Sequence, residues 1–172
     1  MLKEIIIVKS GQIISEGFVV PASQKNCVDF IDPGKNPVVF ISEPLLAPKK
    51  PSLKNAIFLA FHDVVPTAMK NYEISGMTPF DWHMAKAVLD FVDPFVFDAE
   101  KYTLYVACPH GRARGNSVAA GLNFVYRTKL SGLVVPESIN KHILHFFEIE
   151  GRAKAIERSV FGAEKPPRQN KK

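Results

Sequence analysis

The sequence predicts an α/β domain with a mostly parallel central sheet flanked by helices. Three observations carry that expectation. Apolar strand-like runs recur as PVVFIS (37–42), AIFLAF (56–61) and YTLYVA (102–107), three parallel-sheet candidates, of which PVVFIS is the continuous kind buried on both faces. Segments of helical spacing alternate with strands, the order from which parallel sheets are built. The chain has 172 residues, 47% of them hydrophobic, which suits one domain with a substantial core better than two. The expected boundaries are a single domain over 1–163 and a basic, disordered tail over 164–172, where proline and charge leave little to bury.

Taken in order, Glu4 to Val8 is a β-branched strand ended by Ser10-Gly11, and Phe18 to Val20 a second ended by Pro21. Pro33-Gly34 mark a turn before PVVFIS. The prolines of EPLLAPKKPSLKN forbid a regular helix before AIFLAF. After His62-Asp63 a long polar connection runs to Thr78, and a loop of that length inside a compact domain is usually functional. Thr78 as N-cap, Pro79 at the first helical position and Asp81 in the first turn predict a helix start. Phe80, Met84, Val88, Phe91 and Phe95 recur at helical spacing as its core stripe, with Pro94 marking its end. Trp82 and His83 cannot share that stripe and are exposed or line a cleft. Asp90, Asp93 and Asp98 read as surface or helix-end charges. A further helix starts at Pro136 with Ile139, Ile143, Leu144, Phe146 and Phe147, and an amphipathic basic segment follows Gly151 to Phe161.

The formal charge of +5 suits an anionic substrate and equally suits ordinary solubility. Cys27 and Cys108 are the two cysteines; they make neither a disulfide framework nor a metal spacing, which favours a reducing cytosol. No apolar run reaches membrane-spanning length and MLKEIIIVKSGQ is too soon polar for a signal peptide, so a cytoplasmic protein is expected. His142 and His145 stand three apart with no third ligand at a metal-like spacing, and packing or surface roles are expected of them. No cofactor and no metal is expected.

The chemistry concentrates in CPHGRAR, Cys108 to Arg114, between the strand YTLYVA and a small-residue helix. A helix N-terminus offers unpaired N–H donors and partial positive charge, which bind anions and favour a thiolate. Cys108 is the candidate nucleophile. Gly111 permits a positive φ, so that the N–H groups of Pro109-His110-Gly111-Arg112-Ala113-Arg114, proline excepted, can curl around one tetrahedral anion. Arg114 closes the ring with a planar fork that matches two phosphate oxygens. Arg112 adds a second charge at the pocket mouth or pairs with a surface carboxylate. The expected reaction is displacement by sulfur to a cysteinyl-phosphate, then hydrolysis.

This loop resembles the signature Cys-x-x-Gly-x-x-Arg loop of the cysteine-dependent protein tyrosine and dual-specificity phosphatases. The resemblance extends upstream to compact bacterial tyrosine-phosphatase-like proteins through FLAFHDV, TPFDWHMAKAVLDFV and YTLYVACPHGRAR, covering about residues 37–126. It implies a phosphatase-like fold and a phosphomonoester hydrolase acting on phosphotyrosine, another phosphorylated protein side chain or a small phosphate ester. It further implies a general acid, for which Asp63 is the match by chain order and Asp81, nearer the usual distance from the cysteine, the rival. Two departures stand out: the family has His before the cysteine and Ser or Thr after the arginine, where this chain has Ala107 and Gly115. Slow turnover with an accumulating intermediate is the expected result. Ser117 either supplies a hydroxyl from one turn later or caps the helix.

His110 is similar to a loop residue of cysteine RNA triphosphatases, and basic loop residues are similar to those of phosphoinositide phosphatases, which makes a polyphosphorylated substrate an alternative. No nucleic-acid surface motif supports it. Two other readings share the residues: a catalytically degenerate phospho-ligand binding protein, and a rhodanese-type sulfurtransferase, disfavoured by Arg114. Cys27 is either a reversible disulfide partner of Cys108 or an ordinary thiol.

Overall fold

Among the described residues five strands pair side by side in the order β3-β2-β4-β1-β5. They are β1 (Leu2–Lys9), β2 (Val38–Ser42), β3 (Ala56–Ala60), β4 (Tyr102–Cys108) and β5 (Lys129–Gly132). Every pairing between them is parallel, so the sheet is parallel throughout rather than mostly. The computed structural model describes residues 1–14, 30–44, 53–64, 77–109, 113–132 and 136–161. The expected strand at 18–20, Cys27, most of the proline-rich segment before β3, most of the connection to Thr78, His110-Gly111-Arg112 and the 164–172 tail lie outside those residues.

Alternation along the strands divides the core in two. Ile5, Ile7, Val39, Ile41, Leu104, Val106 and Cys108 face the helices, in one cluster with Val88, Leu89, Val118, Leu122, Ile143 and Phe147. Val8, Val38, Phe40 and Ala107 face the other way, packed with Ile13, Ile31, Leu53 and Phe58. β2 is covered on both faces, as the continuous PVVFIS run predicts, and so is β4, whereas β3, at the sheet edge, buries Leu59 and leaves Ala60 exposed. β5, sequence KLSG, carries no such run, because as an edge strand it is held by pairing to β1 and by Glu4, which bonds Lys129 and Ser131.

Among the described residues three long helices supply the other layer: α1 (Trp82–Phe97), α2 (Ala113–Tyr126) and α3 (Lys141–Phe161). α1 starts later than expected. Its N-cap is Asp81, whose Oδ1 accepts the Met84 N–H at 2.9 Å, so Thr78 and Pro79 precede the helix. It also runs past Pro94 to Phe97: Pro94 has no N–H to give the Asp90 carbonyl, and the helix continues for only three residues beyond it. Its buried residues are Ala85, Val88, Leu89 and Val92, with Met84, Phe91 and Phe95 packed at their margin. Trp82 and His83 stack on each other at the surface.

The region after β5 opens with a 3-10 turn, Pro136–Ser138, and α3 follows as one helix rather than two segments. α2 and α3 approach closely at Gly121: a Cβ there would stand 2.3 Å from the Phe147 ring. α1 and α3 are tied by Lys154 to Asp90 and Asp93 at 2.6 and 2.7 Å, and by Arg158 to Asp93 at 2.6 Å. Asp90 and Asp93 are therefore inter-helix anchors, not simple surface charges. Asp98 sits at the end of α1, accepting bonds from Glu100 N and the Tyr102 hydroxyl. No helix among the described residues is long and apolar enough to cross a membrane.

Candidate active site

The carboxyl ends of four parallel strands meet at one cleft of about 780 Å³. Lys9 comes from the end of β1, Glu43 follows β2, His62, Asp63 and Val64 follow β3, and Cys108 ends β4; Met77, Pro109, Ala113 and Arg114 complete the lining. Such crevices form where neighbouring strands send their connections to opposite sides. β2 leads to β3 at one edge, whereas β4 leads through α2 to β5 at the other. Glu43 and Cys108 flank that divide.

Cys108 is the last residue of β4 and is 3% exposed. Its Sγ lies against the first turn of α2, where a Cβ built on Gly115 would stand 2.9 Å from the sulfur. Gly115 thus has a steric reason that no hydroxyl-bearing residue could meet in this placement. Ala107, on the opposite face of β4, packs in the second apolar cluster; a histidine there would enter apolar packing.

Arg114 belongs to α2 rather than to the loop, and it is 8% exposed. Its Nη1 donates to the Phe61 carbonyl at 3.1 Å and its Nη2 to Glu43 Oε1 at 3.0 Å. A guanidinium carries five N–H donors in a fixed plane, so these two bonds fix that plane while the residue lines the cleft. Ala113, also expected in the loop, is the first residue of α2. Pro109 lies at the cleft, while His110, Gly111 and Arg112 fall outside the described residues.

Of the two candidate acids, only Asp63 lines the cleft. Its Oδ1 accepts a bond from Asn140 Nδ2 at 3.0 Å. Asp81 is occupied as the cap of α1. Beside Asp63, His62 is latched to Thr78 by two bonds: its N–H donates to the Thr78 carbonyl at 2.7 Å and its Nδ1 accepts the Thr78 N–H at 2.8 Å. Ser117 neither caps α2 nor lines the cleft: its hydroxyl donates to the Ala113 carbonyl at 2.7 Å and accepts the Asn140 N–H at 2.8 Å.

Glu43, Lys9 and Asn140 are the site residues that sequence reasoning missed. Glu43 sits at the carboxyl end of an apolar strand, the position where α/β ligand sites gather. Asn140 stands directly before an apolar periodic run, a helix-cap signal, but its contact with Asp63 depends on the fold. His142 is a packing residue: its ring meets Phe146 edge-on at 4.6 Å, and burial, then the His145 charge, pushes its pKa down. No group of side chains suited to a metal ion occurs among the described residues. Compared with protein families, curated proteins and solved structures, the chain matches none.

Proposed function

We propose that the protein hydrolyses phosphate monoesters through a cysteinyl-phosphate, in the manner implied by its resemblance to the tyrosine and dual-specificity phosphatases. The observation that carries this reading is the convergence of Cys108, Arg114 and Asp63 on one cleft, with the sulfur against the first turn of a helix. The first turn of a helix offers partial positive charge and N–H donors, which bind a phosphate placed beside the sulfur. Attack by Sγ on phosphorus forms an S–P bond as the ester P–O bond breaks, and Asp63 gives its proton to the departing oxygen. A water then attacks the phosphocysteine, Asp63 takes its proton, and phosphate leaves with the thiolate restored. Arg114 supplies the planar donors that grip the equatorial oxygens as charge builds. The substrate class is a phosphotyrosine or another phosphorylated protein side chain, or a small phosphate ester, and the site of action is the cytoplasm.

The contact between Gly115 and the sulfur supports a slow second step, because the position that follows Arg114 can carry no hydroxyl to assist the leaving thiolate. At the limit of no second step, the protein is a phospho-ligand binder. A burst experiment with p-nitrophenyl phosphate in chelator tests both. A stoichiometric burst followed by slow release is expected, absent in Cys108→Ser, which should still bind tungstate. Undiminished turnover in that variant refutes the proposal, and tungstate binding without any burst leaves the binding role alone.

A further inference from the structure

Asn140 links the segment after β3, which lines the cleft, to Ser117 of α2. It is 7% exposed and stands at the N-terminus of α3. Both of its side-chain donors point to the segment after β3: Nδ2 lies 3.0 Å from Asp63 Oδ1 and 3.0 Å from the Val64 carbonyl. Its Oδ1 accepts the His142 N–H at 3.0 Å. Its backbone N–H donates at 2.8 Å to Ser117 Oγ, which in turn donates to the Ala113 carbonyl in the first turn of α2. From the carboxylate of Asp63 to the helix turn that bears Arg114 there is thus a continuous chain of bonds with one side chain at its centre.

We propose that Asn140 is the positioning residue for the general acid, holding the Asp63 carboxyl at a fixed reach from the sulfur by anchoring it to the first turn of α2. This rests on the assignment of Asp63 made above. A helix cap alone needs only an acceptor, and Ser, Thr or Asp serves as well as Asn. Among these only asparagine also offers two donors. A flipped amide would set Oδ1 against the Asp63 carboxylate and the Val64 carbonyl, so the orientation is unique. Proton transfer requires hydrogen-bond reach to the departing oxygen, and Asp63 is itself solvent-exposed. An exposed carboxylate with no anchor samples several rotamers; the amide selects one.

The inference separates capping from positioning, and so does its test. Asn140→Ser and Asn140→Asp each keep a cap acceptor for the His142 N–H and remove the donors to Asp63; the second also sets a like charge beside it. Both are made in the full chain, alongside Asp63→Asn and the Asp63→Asn, Asn140→Ser double variant. Their melting temperatures are measured, and kcat/KM is compared on phenyl phosphate, whose leaving oxygen needs a proton, and on 2,4-dinitrophenyl phosphate, whose leaving oxygen hardly does. The expected result is a loss of roughly tenfold or more on phenyl phosphate, below the full contribution of a general acid, with less than about a twofold change on the dinitrophenyl ester. The double variant should match Asp63→Asn alone, as groups acting in one chain do.

Equal losses on the two esters, or additive losses in the double variant, overturn the positioning role and leave Asn140 a helix cap. A wild-type protein that hydrolyses neither ester overturns the hydrolase reading and this inference with it. The two failures are told apart by the wild-type rate.

Discussion

At Gly115 a hydrogen stands where the phosphatase loops that this one resembles place a hydroxyl side chain, and the sulfur of Cys108 fills the space. Restoring the hydroxyl by Gly115→Ser would be expected, from the loop pattern alone, to speed turnover. The geometry predicts the opposite. A Cβ at 2.9 Å from Sγ forces the thiol or the helix to move, a strain of about 1–3 kcal/mol, which as displacement of the proposed nucleophile corresponds to roughly 10- to 100-fold in rate. Steady-state kinetics on p-nitrophenyl phosphate would show it; a faster variant would refute the steric account. The two acids divide just as sharply. Asp81→Ala removes the cap of α1 and should cost about 1 kcal/mol of stability with activity intact. Asp63→Asn should leave the melting temperature nearly unchanged and depress turnover on phenyl phosphate by roughly 10²-fold or more. Exchange of these two outcomes would transfer the acid role to Asp81.

Among the elements, the pair α2 and α3 depends on the missing side chain at Gly121. Helix propensity favours alanine over glycine by about 1 kcal/mol, so Gly121→Ala looks stabilising. Its Cβ, however, would stand 2.3 Å from the Phe147 ring and 2.9 Å from that residue's own Cβ, which no rotamer change of the ring relieves. Net destabilisation of about 1–3 kcal/mol is expected by urea denaturation. The α1 to α3 contact responds instead to pH. Burial pushes the Asp90 carboxyl up, but its bonds to Lys154 and Lys86 outweigh this and hold it below its ordinary value near 3.8. A lowered folded value stabilises above the unfolded value and is lost as pH falls through the folded one. Asp90→Asn should therefore flatten the fall in stability below about pH 4, modestly, since the carboxylate is half exposed and screened. An unchanged acid-unfolding profile would show that the pair contributes nothing.

Over the whole molecule, what the sequence made legible follows from where burial is two-sided. PVVFIS and YTLYVA announce themselves because both faces of those strands are covered, by helices on one side and by Ile13, Ile31 and Leu53 on the other; AIFLAF is legible as an apolar run although β3 lies at a sheet edge, with Leu59 buried and Ala60 exposed. KLSG could not announce itself, because its place at the edge is fixed by β1 and not by its own hydrophobicity. The start of α1 was misplaced by three residues since Thr78 and Asp81 are both good caps, and the choice between them was made by the bonds that hold Thr78 to His62. In the site, Cys108 and Asp63 were legible as residues at strand ends. Glu43 and Asn140 were not, because their partners, Arg114 and Asp63, lie 71 and 77 residues away.

The position of β1 between β4 and β5 has a consequence in time as well as in space. Leu2 pairs with Tyr102, Lys9 with Cys108, and Glu4 with Lys129, so β1 cannot take its place in the sheet until β4 and β5 exist. Contacts of such separation are closed late and slowly, since the loop entropy is lost before the pairing compensates it. A segment as apolar as LKEIIIVK therefore has no partner strand until the residues of β4 have been made. The sulfur that ends β4 meets its neighbours only when that wait is over.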